Sequence, residues 1–220
     1  MLNTPVSRFE KDFAEVKERF PKLTYAPMQG HRYWLIKGEL DICDTTGVYW
    51  GSFTIGIYVP QSYPYCIPTV QEISKLIPRE IDWHIDESGY CCIDIDHRLI
   101  QLSRKGIRIS DFIAEKVYPY FANQLYKLTQ HSYAGDEYAH HFAGVTQYYR
   151  EDLGLSPAQA VAFLERFRTQ RPISRNEPCP CQSGKKYKRC HWSNTESLKT
   201  LGQARINQDL AGFRQMLSSW

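Results

Sequence analysis

Residues 175–191 read RNEPCPCQSGKKYKRCH: Cys179 and Cys181 stand one residue apart, eight residues follow, and Cys190 and His191 close the set. Three thiolates and one imidazole are the donors of a closed, tetrahedral structural zinc site. Ser183-Gly184 lets the chain reverse between the two pairs, so that both can face one ion. With four protein ligands no position is left for water, which points to structure and not catalysis. A segment this short buries too little apolar surface to fold alone, so it is expected to fold only with its metal.

That cluster also decides how the other thiols are read. Seven cysteines is an odd count, and three of them fall within residues 179–190. Such clustering suits a reducing compartment, where thiols bind metals or react instead of forming a disulfide framework. There is no apolar run of about 18 residues, the length a membrane-spanning helix needs. The start MLNTPVSRFEKDF lacks the order of a signal peptide, so a cytoplasmic location is expected. The net charge of +3 is unevenly spread: between Glu165 and His191, eight Lys/Arg face only two acids. An acidic partner for this segment is one reading; solubility of a Lys-rich module is the other. Apart from Tyr187 and Trp192 no aromatic platform accompanies the charge, so a nucleic-acid partner is not expected.

With 220 residues the chain suffices for one generous domain plus an appendage. Asn3 and Thr4 precede Pro5, and Val6, Phe9, Phe13, Val16 and Phe20 recur at helical spacing, giving a helix over residues 4–20. Residues 31–44, interrupted by Gly38, and 48–59 then form a hairpin across Asp44-Thr45-Thr46-Gly47. A Tyr/Pro-rich crossing leads to a short strand near 69–73, and residues 76–98 read as a long ordered loop. Ser110-Asp111 starts a second helix that Pro119 should kink. Helices over 141–152 and 157–169 follow, the latter opened by Ser156-Pro157. A last helix opens with the box Ser193-x-x-Glu196 and carries Leu198, Leu201, Leu210, Phe213 and Leu217. The fold class is therefore α+β, with a first domain over 1–155 and a second part over 156–220 that holds the zinc module at 175–192.

Residues 89–97, GYCCIDIDH, carry the second constellation. In an extended segment alternate side chains share a face. Cys91, Ile93 and Ile95 then share the apolar side, and Cys92, Asp94 and Asp96 the polar one. Cys91 reads as packing and Cys92 as accessible. The acidic flanks should raise the Cys92 pKa, which argues against a papain-like hydrolase and suits a thiol that receives an acyl group by exchange.

Two resemblances add to this. Residues 175–192 closely resemble the SEC-C motif, the small zinc module at the C-terminus of the secretion ATPase, with Gln182 where that family usually has glycine. In that family the module is a docking element; here it could equally cap the C-terminal helix. Separately, Gly47-x-Tyr49-Trp50-Gly51-x-Phe53, Val59-Pro60-x-x-Tyr63-Pro64-x-x-x-Pro68, and His84 followed by Gly89-x-x-Cys92-Ile93-Asp94-Ile95 resemble the core of the ubiquitin-conjugating enzyme fold. The likeness covers roughly residues 4–150 and implies a thioester on Cys92. The family's His-Pro-Asn reads His84-Ile85-Asp86 here, and its spacing to the cysteine is two residues shorter. No asparagine supports the oxyanion, which leaves His84, His97 and the pair His140-His141 as candidates to orient or deprotonate an amine.

Trp83-His84 and His140-His141-x-x-Gly144 resemble the divergent bacterial branch of that family. Its members with a SEC-C tail resemble the conjugating proteins of the antiphage operons called CBASS. The implied partner is a ubiquitin-like protein or a cGAS-like nucleotidyltransferase whose C-terminal carboxyl is passed to amines. The expectation is a transferase; the alternative is an inactive conjugating-fold adaptor that recruits its partner through the zinc module.

Overall fold

A computed structural model describes residues 7–28, 30, 32–135, 139, 141–169, 171 and 173–218. The chain divides into two compact units, Met1–Glu137 and Tyr138–Trp220.

The first unit begins with α1 (Arg8–Arg19). Ser7 caps it in a full capping box with Glu10, a signal present in the sequence but read there at Asn3–Pro5, which lies outside the described residues. One face of α1 buries Phe9, Phe13 and Val16. Four antiparallel strands follow in meander order: β1 (Leu23–Pro27), β2 (Tyr33–Cys43), β3 (Tyr49–Pro60) and β4 (Thr69–Glu72). The β2–β3 hairpin falls where the alternation put it, turning at Asp44–Gly47 with Asp44 Oδ1 accepting the Thr46 and Val48 amides. β1 went unread because prolines bracket it; at a sheet edge Pro27 is tolerated. Nor does Gly38 interrupt β2: the Lys22 carbonyl passes so close that a Cβ there would lie 2.2 Å from it.

The inward rows Ile36, Leu40 and Ile42 of β2 and Phe53, Ile55, Ile57 and Val59 of β3 are all buried. They meet α1 and a helical stretch formed by α3 (Ile109–Phe112), a π turn (Ile113–Val117) and α4 (Tyr118–Gln130). The expected disruption at Pro119 takes the form of this π turn, in which the Tyr118 N–H reaches back to the Ile113 carbonyl. The Tyr118 hydroxyl bridges the N–H and C=O of Cys43, both at 2.8 Å, fastening α4 to the end of β2.

The region expected as one loop, 76–98, is more structured than that. It holds a 3-10 turn (Ile81–Trp83), a small hairpin over 84–92, and the start of α2 (Asp96–Lys105). Two signals for α2 were in the sequence: basic Arg104 and Lys105 in the last turn, and Gly106 beyond it.

The second unit contains α5 (His141–Glu151), α6 (Pro157–Arg168), the loop that carries Cys179, Cys181, Cys190 and His191, α7 (Trp192–Thr195) and α8 (Gln203–Ser218). The boundary therefore precedes α5 instead of falling at residue 155. The reason is packing: Tyr149 of α5 is buried, donates to Asp209 of α8 at 2.9 Å, and its ring lies 4.9 Å from that of Phe213. Ser156 and Gln159 form the capping box of α6, with Pro157 in the first turn. The last helix is broken where the sequence suggested continuity. α7 passes into a 3-10 turn (Glu196–Thr200), and α8 restarts after Gly202. Glu196 does not close a box with Ser193 but accepts from the Tyr187 hydroxyl and Lys199. No helix among the described residues is long and apolar enough to cross a membrane.

Candidate thiol site and candidate metal centre

Cys92 sits on the second arm of the hairpin. Its N–H donates to the His84 carbonyl at 2.8 Å, Ile85 pairs with Cys91, and the Asp86 N–H donates to the Tyr90 carbonyl at 3.0 Å. The turn is held by the Asp86 carboxylate, which accepts the Tyr90 N–H at 2.8 Å, and by Gly89 at φ 88°. A side chain at Gly89 would come within 2.6 Å of the Glu72 carbonyl, so the sharp turn and the close approach both demand glycine. The other edge of this arm lies along β4: the Cys91 N–H donates to the Val70 carbonyl and the Glu72 N–H to the Gly89 carbonyl, both at 2.8 Å. Behind the turn the wholly buried Glu72 carboxylate pairs with Arg79 at 2.6 Å.

The adjacent thiols have different surroundings. Cys92 is exposed, while Cys91 packs against the core and its Sγ lies 3.6 Å from the Gly89 carbonyl. Burial pushes Cys91 up to about 12. Cys92 is also raised, first by partial desolvation of its sulfur, then by the Asp96 and Asp86 carboxylates. The direction is the one the acidic flanks imply, but a source differs: Asp86 acts from across the hairpin. Asp94 does not join the open polar face. Its side chain is only 8% exposed and is held by Lys116 at 2.7 Å and by the Ile95 N–H, because the chain leaves the extended form after Cys92 and turns into α2.

The histidines separate. His84 has a left-handed backbone (φ 49°), offers its carbonyl to Cys92, and its ring lies 6.0 Å from that of Tyr133. His97 is wholly buried in α2, where an amine arriving from solvent does not reach it; burial was the one property its local sequence did not reveal. His141 opens α5 in the second unit, and His140 lies outside the described residues.

Residues that sequence reasoning passed over surround the hairpin. From α4, Tyr120 donates to the Trp83 and His84 carbonyls, both at 3.1 Å, and Gln124 donates to the Trp83 carbonyl at 3.0 Å. Lys127 donates to the Asp82 carbonyl and lies over the rings of Trp83 (4.6 Å) and Tyr133 (4.1 Å). Their spacing on α4 was visible; their target, some forty residues earlier, was not.

In the second unit the side-chain donors of Cys179, Cys181, Cys190 and His191 all lie within 4.8 Å of one another. The Cys181 and Cys190 sulfurs are 3.5 Å apart, and His191 Nδ1 is 3.4 Å from Cys179 Sγ and 3.2 Å from Cys190 Sγ. Ligand bonds of about 2.0–2.3 Å in a tetrahedron give edges of roughly 3.3–3.8 Å, so the donor set fits a four-coordinate ion of zinc's preferences. The loop is shaped by the Gln182 N–H on the Cys179 carbonyl (3.0 Å), the Cys179 N–H on the Lys185 carbonyl (2.9 Å), and Gln182 itself at φ 62°. Tyr187, wholly buried, fastens it by hydrogen-bonding Thr195 at 2.7 Å. The His191 ring meets Phe163 of α6 edge-on at 5.5 Å. The loop is thus set into a helical unit with its own apolar core, and is not the free-standing appendage its length suggested.

The model of the SEC-C motif family matches residues 175–193, which include all four donors. The chain is 75% identical over 35 residues to the protein translocase subunit SecA of Stutzerimonas stutzeri, covering 16% of this chain and 4% of that protein. It is 64% identical over 31 residues to SecA of Roseiflexus, covering 14% and 3%. With SecA of Porphyromonas gingivalis it shares 44% over 45 residues, covering 20% and 4%. The chain therefore carries a SEC-C motif with a cluster suited to a metal, and spans only a few per cent of the length of these relatives.

Proposed function

We propose that the first unit is a ubiquitin-conjugating-enzyme-like transferase with Cys92 as its acyl acceptor. The observation that carries this reading is an exposed thiol on a hairpin braced by β4 on one side and α4 on the other, beside a cysteine that is packed away. The order of helix, four-strand meander, cysteine segment and helices supports it, as do the motifs from Gly47 to Ile95. The Cys92 thiolate attacks an acyl carbon already activated elsewhere as a thioester or acyl adenylate, and the activating group leaves. A lysine amine then attacks the thioester, the C–S bond breaks, and the proton of the amine goes to solvent or a nearby base. Holding thioester and amine together supplies most of the rate. Resemblance suggests the partner: a ubiquitin-like protein or a cGAS-like nucleotidyltransferase, in CBASS-type antiphage defence.

The second unit, in this proposal, binds a structural zinc ion through Cys179, Cys181, Cys190 and His191 and serves to dock a protein. When bound, the ion supplies cross-linking of the loop. One observation favours the alternative of an inactive adaptor: the raised Cys92 thiol, with Asp86 where the family's asparagine would stand. Co-expression with the genomic neighbours separates the two. Conjugates resolved by denaturing gel should vanish in Cys92→Ala and persist in Cys91→Ala; conjugates that persist in Cys92→Ala contradict the transferase.

A further inference from the structure

Tyr120, Gln124 and Lys127 occupy one face of α4, at i, i+4 and i+7. Each ends on a main-chain carbonyl of the turn that leads into the hairpin, at Asp82, Trp83 and His84. Those of Asp82 and Trp83 are carbonyls that the end of a short helix leaves without a partner inside the helix. Tyr120 is 8% and Gln124 1% exposed, a depth at which a polar side chain is tolerated only when it is hydrogen-bonded. Apolar residues at both positions would pack at less cost, so the two polar groups are explained by what they hold. The chain of bonds runs on: the His84 carbonyl that Tyr120 engages also accepts the Cys92 N–H at 2.8 Å. Tyr118, in the same helix, applies the same hydroxyl chemistry to a different target, Cys43.

We propose that Tyr120 and Gln124 are positioning residues of the Cys92 site, fixing the thiol-bearing arm through the main chain of Trp83 and His84. The inference rests on the acyl-transfer reading for its consequence, but not for its geometry. Neither residue is asked to touch the acyl group.

The test uses the full chain with Tyr120→Phe and Gln124→Leu, and Tyr118→Phe as the control. Amide hydrogen exchange at Cys92, followed by NMR, needs no modifier. Tyr120→Phe and Gln124→Leu should speed it about tenfold relative to wild type, while Tyr118→Phe stays within about twofold. In conjugation assays the first two should lower kcat about tenfold with KM for the acceptor unchanged. Equal acceleration in all three variants, or none in Tyr120→Phe, overturns the proposal. The expected exchange pattern without any adduct on wild-type protein upholds the brace and refutes acyl transfer, so the two failures are distinct. If Gln124→Leu does not fold, Tyr120→Phe, which removes one oxygen, still decides.

Discussion

Cys91 and Cys92 are adjacent in the chain and chemically unlike. A carboxylate near a thiol disfavours its thiolate, so removing Asp96 or Asp86 should lower the Cys92 pKa and raise its reactivity at a given pH. Asp96→Asn is expected to speed iodoacetamide alkylation of Cys92 at pH 8 roughly two- to fivefold, read by peptide mass mapping. Across pH 7–10 the rate at Cys92 should climb with pH. Cys91, pushed up to about 12, should lag throughout. Alkylation of Cys91 ahead of Cys92 would contradict these surroundings. The alternation Cys91/Cys92 was legible in the sequence, because side-chain direction in an extended strand is a local property. The role of Asp86 and the withdrawal of Asp94 were not, since one depends on a hairpin closing and the other on a helix starting at Asp96.

Among the elements, those whose signals are local were readable: the β2–β3 hairpin, the Ser156-Pro157 start of α6, and the spacing of the four metal donors. β1 is masked in the sequence by Pro21 and Pro27, and α2 by a start at Ile95 that has no side-chain cap. Two positions give tests at this scale. Gln182 adopts a left-handed backbone (φ 62°) that suits glycine, the residue usual there in the SEC-C family. Gln182→Gly should relieve about 0.5–1 kcal/mol of strain, tightening metal binding roughly two- to fivefold in competition with a chelator. Gly212 of α8 lies where a Cβ would sit 2.1 Å from the ring of Phe142 on α5. Gly212→Ala should therefore force α5 and α8 apart and cost the second unit about 1–3 kcal/mol in urea unfolding. A silent Gly212→Ala would contradict this close approach of α5 and α8.

At the scale of the whole molecule, each unit has its own buried core, one built on the sheet and one around Phe163, Tyr187, Leu210 and Phe213. Unfolding should accordingly proceed in two transitions. Stripping metal with a chelator should lower only the one that reports on residues 138–220, and a single transition shifted as a whole would contradict this division. The sequence revealed two parts but misplaced their border, because whether α5 belongs with what precedes or follows it is settled by long-range contacts of Tyr149 and not by the linker's composition.

Acyl transfer by the first unit requires that Cys92 itself carry the acyl group. The most direct measurement is intact mass of the protein expressed with its genomic neighbours, quenched at low pH and compared with and without reducing agent. A transferase should show an adduct on the wild-type chain that thiols release and that Cys92→Ala abolishes while Cys91→Ala retains, its added mass identifying the modifier. A wild-type chain that carries no adduct, while a neighbour co-purifies through the second unit, would contradict acyl transfer.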